Sequence, residues 1–230
     1  PTSVSLVVVS GSSLHVIFSS PLDDGGDTVT AYRVEWSTDA AFVGASHHDV
    51  LYLPSEPYHY NIQGLDKGTT YYVRVSAGNA QGFGEPQAPT PASEHPRELP
   101  SAPIGAVVGV TSGRSRDGKV TIQWQAPLDD GGDPVTAYKI TWDTVYEMNS
   151  FESLPHKGSA TVLASEDMSY TVSDLQVDRN YFFRVASVNL VGSRPIPMPL
   201  QATPTLQPPG KPSSVVVDNT VSCGSSPCLQ

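Results

Sequence analysis

The seven residues PLDDGGD occur twice in this chain of 230 residues, at positions 21–27 and again at 127–133. Each copy sets three carboxylates within five residues, Asp23, Asp24 and Asp27 in the first and Asp129, Asp130 and Asp133 in the second. Oxygen donors at that density suit a hard cation, and calcium is the one they would take. The alternating D-x-D-x-D-G spacing and the later bidentate Glu of a calcium-binding helix-loop-helix are absent, however. Acid/base catalysis needs two carboxyls in one enclosed cleft with their pKa values pushed apart, which adjacent acids beside Gly-Gly do not provide. The third reading is a chain reversal, in which Pro ends a strand, Asp side chains cap their own backbone and the glycines take positive φ. The residue types favour the turn. No cofactor is then expected, with calcium on the six aspartates as the remaining alternative.

Other side chains of metal-ligating or nucleophilic type make weaker cases. His47, His48 and His59, with Asp49, lie in a segment, HHDVLYLPSEPYHY, whose sequence has no match in the second copy, and they read as surface histidines on a strand and a loop. The serines lack a G-x-S-x-G elbow. Cys223 and Cys228 stand near the C-terminus in VSCGSSPCLQ, and a pair of cysteines with none elsewhere points to a disulfide and an oxidising compartment. No enzymatic activity is expected.

The elements that carry the turns are visible in the repeat. PLDDGGDTVTAYRVEWS at 21–37 faces PLDDGGDPVTAYKITWD at 127–143 with 12 of 17 positions identical. Downstream, LDKGTTYYVRVSAGNAQG at 65–82 faces LQVDRNYFFRVASVNLVG at 175–192, and upstream PTSVSLVVVSG at 1–11 faces PIGAVVGVTSG at 103–113. A period near a hundred residues is a whole domain with its own core. Alternation with period 2 runs through both copies: Tyr32, Val34 and Trp36 share a face, as do Tyr138, Ile140 and Trp142, Tyr71, Val73 and Val75, and Tyr181, Phe183 and Val185. Shorter strands are expected over 14–18 and 120–124, and no stretch holds a helical period. With 19 Gly and 21 Pro the chain reads as all-β, about seven short strands per domain in a two-sheet sandwich.

The order of these motifs resembles the fibronectin type III family: Phe18 or Trp124 in the second strand, the acidic Gly-Gly turn, a Tyr-x-Val/Ile-x-Trp strand, then Leu-x5-Tyr-x-Val/Phe-x-Val leading to Asn and Gly. The resemblance covers most of residues 1–205 and implies two tandem seven-stranded Ig-like β-sandwiches, three strands on four. It makes Tyr71 and Tyr181 tyrosine-corner residues, with hydroxyls bonded to backbone near Leu65 and Leu175, and it makes Phe18, Tyr32, Trp36, Trp124, Tyr138 and Trp142 structural core residues. The expected organisation is a domain at 1–92, a Pro-rich semi-rigid linker at 93–102, a domain at 103–205, and at 206–230 a linker and the start of a further module, fibronectin type III-like or EGF-like. Cys223 and Cys228 would bridge a turn of the former or pair beyond Gln230 in the latter.

A formal charge of −10 with no run of Lys or Arg argues against nucleic acid. No apolar stretch approaches the roughly 20 residues that span a bilayer. The leading expectation is therefore a non-enzymatic, extracellular or cell-surface structural or adhesion segment of a larger multi-module protein. It would act as a semi-rigid spacer whose partners are other protein chains or copies of itself, with assembly into a surface filament as a variant. The alternatives are a ligand-binding receptor ectodomain using the elbow near residues 94–97, accessory modules of a secreted carbohydrate-active enzyme, and an intracellular muscle-type scaffold.

Overall fold

The computed structural model describes residues 1–53, 55–111 and 117–205. The tail that carries Cys223 and Cys228, and with it the expected start of a further module, lies outside these residues.

Sixteen strands and no helix are present among the described residues. The first domain places β1 (Thr2–Ser10), β2 (Ser13–Ser19) and β5 (Tyr58–Gln63) in one antiparallel sheet, ordered β1-β2-β5. The facing sheet runs β4 (Ser46–Leu51), β3 (Ala31–Ser37), β6 (Tyr71–Asn79), with two short strands, β7 (Gly82–Phe83) and β8 (Ser93–Glu94), along the outer edge of β6. The second domain repeats the plan. One sheet is ordered β13 (Ser169–Gln176), β10 (Asp117–Gln125), β9 (Ile104–Thr111). The other is β12 (Gly158–Leu163), β11 (Ala137–Asp143), β14 (Tyr181–Val188), edged by β15 (Ser193–Pro195) and β16 (Leu200–Ala202).

Alternation in the sequence becomes burial here. In β2 the buried residues are Leu14, Val16 and Phe18, and in β14 they include Tyr181, Phe183 and Val185. The two central pairings share one register: Tyr32 faces Ala77 and Trp36 faces Val73, as Tyr138 faces Ser187 and Trp142 faces Phe183. Each domain has its own core, the first built on Phe18, Tyr32, Tyr58 and Ile62, the second on Trp124, Tyr138, Ile140 and Phe183. A fully buried side chain of this size contributes about 1.5–3 kcal/mol relative to exposure. Phe18 and Trp124 fill the same place, with ring centroids 5.1 Å from Tyr32 and 5.4 Å from Tyr138. Burial pushes the Tyr32 phenol up to about 12, against the opposing hydrogen bond with Ser20.

Two local findings differ from the sequence reading. The segment with His47 and His48, unmatched in sequence, has a structural counterpart, because β4 and β12 pair with β3 and β11 in the same register, Ala31 to Leu51 and Ala137 to Leu163. An edge strand is placed by backbone pairing, so its outward side chains are free to differ. The last strand of each sandwich is also broken. Between β7 and β8, Gln87 and Val75 exchange both backbone hydrogen bonds and Thr90 N donates to Val4 O, so the proline-rich segment leans on both sheets. Ser93 and Glu94 thus belong to the first sandwich, and the connection between the sandwiches begins at His95.

Candidate interdomain interface

The two acidic turns have the same internal structure. Each follows the second strand of its sandwich and leads into the third, at the end where β6 or β14 finishes. Asp23 Oδ1 accepts Gly25 N and Asp24 Oδ1 accepts Gly26 N, both at 2.9 Å. Asp129 and Asp130 do the same for Gly131 and Gly132 at 2.8 Å. The glycines take φ of 75° and 82° in the first copy and 81° and 87° in the second, which side chains disfavour. An asparagine from the neighbouring strand end ties each turn down: Asn79 Nδ2 donates to Asp24 O, and Asn189 Nδ2 to Asp130 O, each at 2.8 Å.

Their surroundings differ. Gly25 and Gly26 are exposed, and a Cβ on Gly26 would meet nothing within 4 Å. Gly131 is buried, and a Cβ there would overlap the Glu98 carbonyl oxygen and lie 2.9 Å from Leu99 C. On Gly132 it would lie 2.7 Å from Lys67 Cγ and 2.8 Å from Pro96 O. The second turn is therefore the seat on which the connecting segment and the Lys67 loop of the first domain rest.

Backbone hydrogen bonds hold the segment there. Glu98 N donates to Gly131 O and Ser101 N to Asp129 O, both at 2.8 Å, while Gly68 N donates to Pro96 O at 2.9 Å. Asn189 Nδ2 also donates to Glu98 O at 2.8 Å, so one amide clamps both the turn and the segment above it. The Ser187 hydroxyl donates to Ser101 O.

Charge is arranged around this frame. Lys67 Nζ lies 2.6 Å from Glu98 Oε1 and 2.6 Å from Asp129 Oδ2. The hydrogen bond with Asp129, then that with Glu98, raises the Lys67 ammonium above its usual range, and the same contact with a Gly131 amide bond lowers the Asp129 carboxyl. Asp133 is buried, with His95 Nε2 at 2.9 Å from Oδ1 and Arg97 Nε at 3.4 Å from Oδ2, and Arg97 Nη1 reaches Glu94 Oε2 at 2.7 Å. The elbow near residues 94–97 is thus engaged with the second turn.

The remaining candidates sit apart from it. Tyr71 OH accepts Asp66 N and Tyr181 OH accepts Gln176 N, each at 3.1 Å, five residues back along the chain. Tyr181 OH also lies 3.0 Å from His156 Nδ1. Trp142 Nε1 donates to Pro155 O at 3.0 Å, and Trp36 packs at the edge of the first core. His47, His48 and His59 are exposed, and His48 stacks on Tyr60 at 4.4 Å. Among the described residues no three His, Cys, Asp or Glu side chains gather to hold a metal ion. Sequence reasoning missed Lys67, Gly68, Glu98 and Asn189. For Lys67 and Gly68 the signal was the Asp-Lys-Gly of the first copy, replaced by Gln-Val-Asp in the second.

Paired sandwiches joined by a segment seated on a loop of the next sandwich define a tandem modular β protein. The chain matches the fibronectin type III domain over residues 1–93 and 105–203 and belongs to that family. It is 30% identical over 200 residues to Protein sidekick-2 of Gallus gallus, covering 86% of this chain and 9% of that protein. It is 29% identical over 194 residues to Myomesin-2 of Homo sapiens, covering 84% of this chain and 12% of that protein. A solved structure of the chicken CNTN1 FN1-FN3 domains aligns with a TM-score of 0.43 at 17% identity, covering 90% of this chain and 66% of that one. The chain thus spans about a tenth of the relatives' length.

Proposed function

We propose that the chain is a non-enzymatic structural or adhesion segment of a larger multi-module protein, working as a spacer that fixes the direction from one module to the next. The observation that carries this is the joint: the connection is hydrogen-bonded by its backbone to the second acidic turn, at Glu98 and Ser101. A tether without function in alignment would need none of these contacts. The acidic turns serve as structure, capping themselves through Asp23, Asp24, Asp129 and Asp130. Residual dipolar couplings in a weakly aligning medium test the reading directly. Both domains are expected to fit one alignment tensor, and two independent tensors would remove the spacer function.

A cell-surface location goes with this reading, supported by the likeness to sidekick-2. The likeness to Myomesin-2 supports a second, intracellular scaffold reading. A free-thiol assay on Cys223 and Cys228 in native material separates them, a disulfide being expected at the cell surface and reduced thiols inside the cell.

A further inference from the structure

The first acidic turn repeats the second in sequence, Asx capping, glycine φ and asparagine tie, yet it lies uncovered. The carbonyls equivalent to those that take the connecting segment, Asp23 O and Gly25 O, accept no backbone amide among the described residues. Asp27, which corresponds to the buried Asp133, is half-buried. A recess beside the turn is lined by Pro1, Asp23, Asp24, Gly25 and Asn79. A segment leading into Pro1 would cross this recess, as residues 98–101 pass over the second turn on their way to Pro103.

From this we infer that residues 23–27, with Asn79, are the docking seat for a preceding fibronectin type III module of the same kind as residues 1–94, together with its connecting segment. The chemistry asked of the occupant is specific. Two backbone amides meet Gly25 O and Asp23 O, a lysine from the loop before the sixth strand meets Asp23, and a cation from the connecting segment meets Asp27. Residues 1–102 satisfy each requirement, with Glu98 N, Ser101 N, Lys67 and the His95–Arg97 pair. The second domain does not, because Val177 and Asp178 stand where the first has Lys67 and Gly68. A second copy of this chain stacking through its C-terminal end is therefore disfavoured.

The inference rests on the spacer reading of the natural joint, and one experiment separates the two. Residues 1–102 are prefixed to Pro1 of the full chain, which reproduces the natural spacing, and two samples are made, one isotope-labelled in the added module and one in the natural residues. The added module is expected to share the alignment tensor of the first domain, with the Gly25 and Gly26 amide resonances shifted from their positions in the natural chain. Lys67→Glu with Arg97→Glu, placed in the added module alone, leaves the seat intact but sets carboxylates against Asp23 and Asp27, a repulsion that loss of the Lys67 pair alone does not create, and is expected to lose both effects. Independent tensors at the added joint while the natural joint stays fixed would overturn the inference alone. Independent tensors at both joints would overturn the spacer reading as well. Concentration-dependent shifts at Gly25 and Gly26 in the unmodified chain would make a second copy the occupant and equally overturn it.

Discussion

Tyr71 and Tyr181 do the same work in the two domains, each hydroxyl accepting a backbone amide five residues back. Removing one such bond from a part-buried site costs about 0.5–1.5 kcal/mol. Tyr181→Phe is expected to cost more than Tyr71→Phe, because Tyr181 is fully buried and also bonds His156. Urea unfolding of the two variants checks the order, and equal losses would show that the His156 contact contributes nothing. The glycines give a sharper contrast. Gly25→Ala pays the left-handed backbone penalty alone, about 1–2 kcal/mol, since the Cβ finds only Asn79 Nδ2 at 3.7 Å. Gly131→Ala carries the same penalty and an overlap with Glu98 O, so its melting temperature should fall further. The need for positive φ was legible in the sequence, because Gly-Gly between aspartates is turn chemistry. The need for close approach was not, because identical residues do it in one copy and not in the other.

At the scale of elements, the inward-facing strands were readable because burial on one face enforces period 2, as in Tyr138, Ile140 and Trp142. β7, β8, β15 and β16 were hidden in or beside proline-rich segments, where pairing survives only in pieces of two or three residues that leave no periodic mark. The turn after β11 was hidden as well. There Asp143 is fully buried, its Oδ1 accepting Val145 N and its Oδ2 accepting Ser150 N, both at 3.1 Å, while the first domain has Ser37 at the same place. Burial opposes ionisation of Asp143, but bonds from the Ser150 side chain and from the Val145, Ser150 and Thr144 amides outweigh it, and the carboxyl is lowered. A lowered folded-state pKa gives stability that is present above the unfolded value, about 3.9, and is lost as pH falls through the folded value. Asp143→Asn is thus expected to weaken the second domain at pH 7 and to flatten its loss of stability on acidification. Urea unfolding at pH 7 and pH 3 measures both, and an unchanged slope would show that other carboxyls carry the acid sensitivity.

Across the whole molecule the question is what holds the joint. The ion pairs of Lys67 are conspicuous, but Lys67 keeps 29% of its side chain exposed and its partners Glu98 and Asp129 keep 48% and 49%. Pairs of that kind contribute about 0–1 kcal/mol and are screened by salt over about 8 Å at physiological strength. Asn189 is 5% exposed and donates to two carbonyls, one on each side of the joint. Removing it leaves the Glu98 and Asp130 oxygens without that donor, at about 1–3 kcal/mol for each unsatisfied group that stays buried. Dipolar couplings should therefore show one tensor for the Lys67→Ala chain and for the natural chain in 1 M salt, and two for Asn189→Ala. Asn79→Ala is the control, since Asn79 ties the first turn through Asp24 O and Asp27 O and touches no part of the connecting segment. It should loosen that turn and leave the joint fixed. If Lys67→Ala or salt alone separates the tensors, the direction between modules is set by screened charge, and ionic strength rather than sequence decides how straight the chain runs.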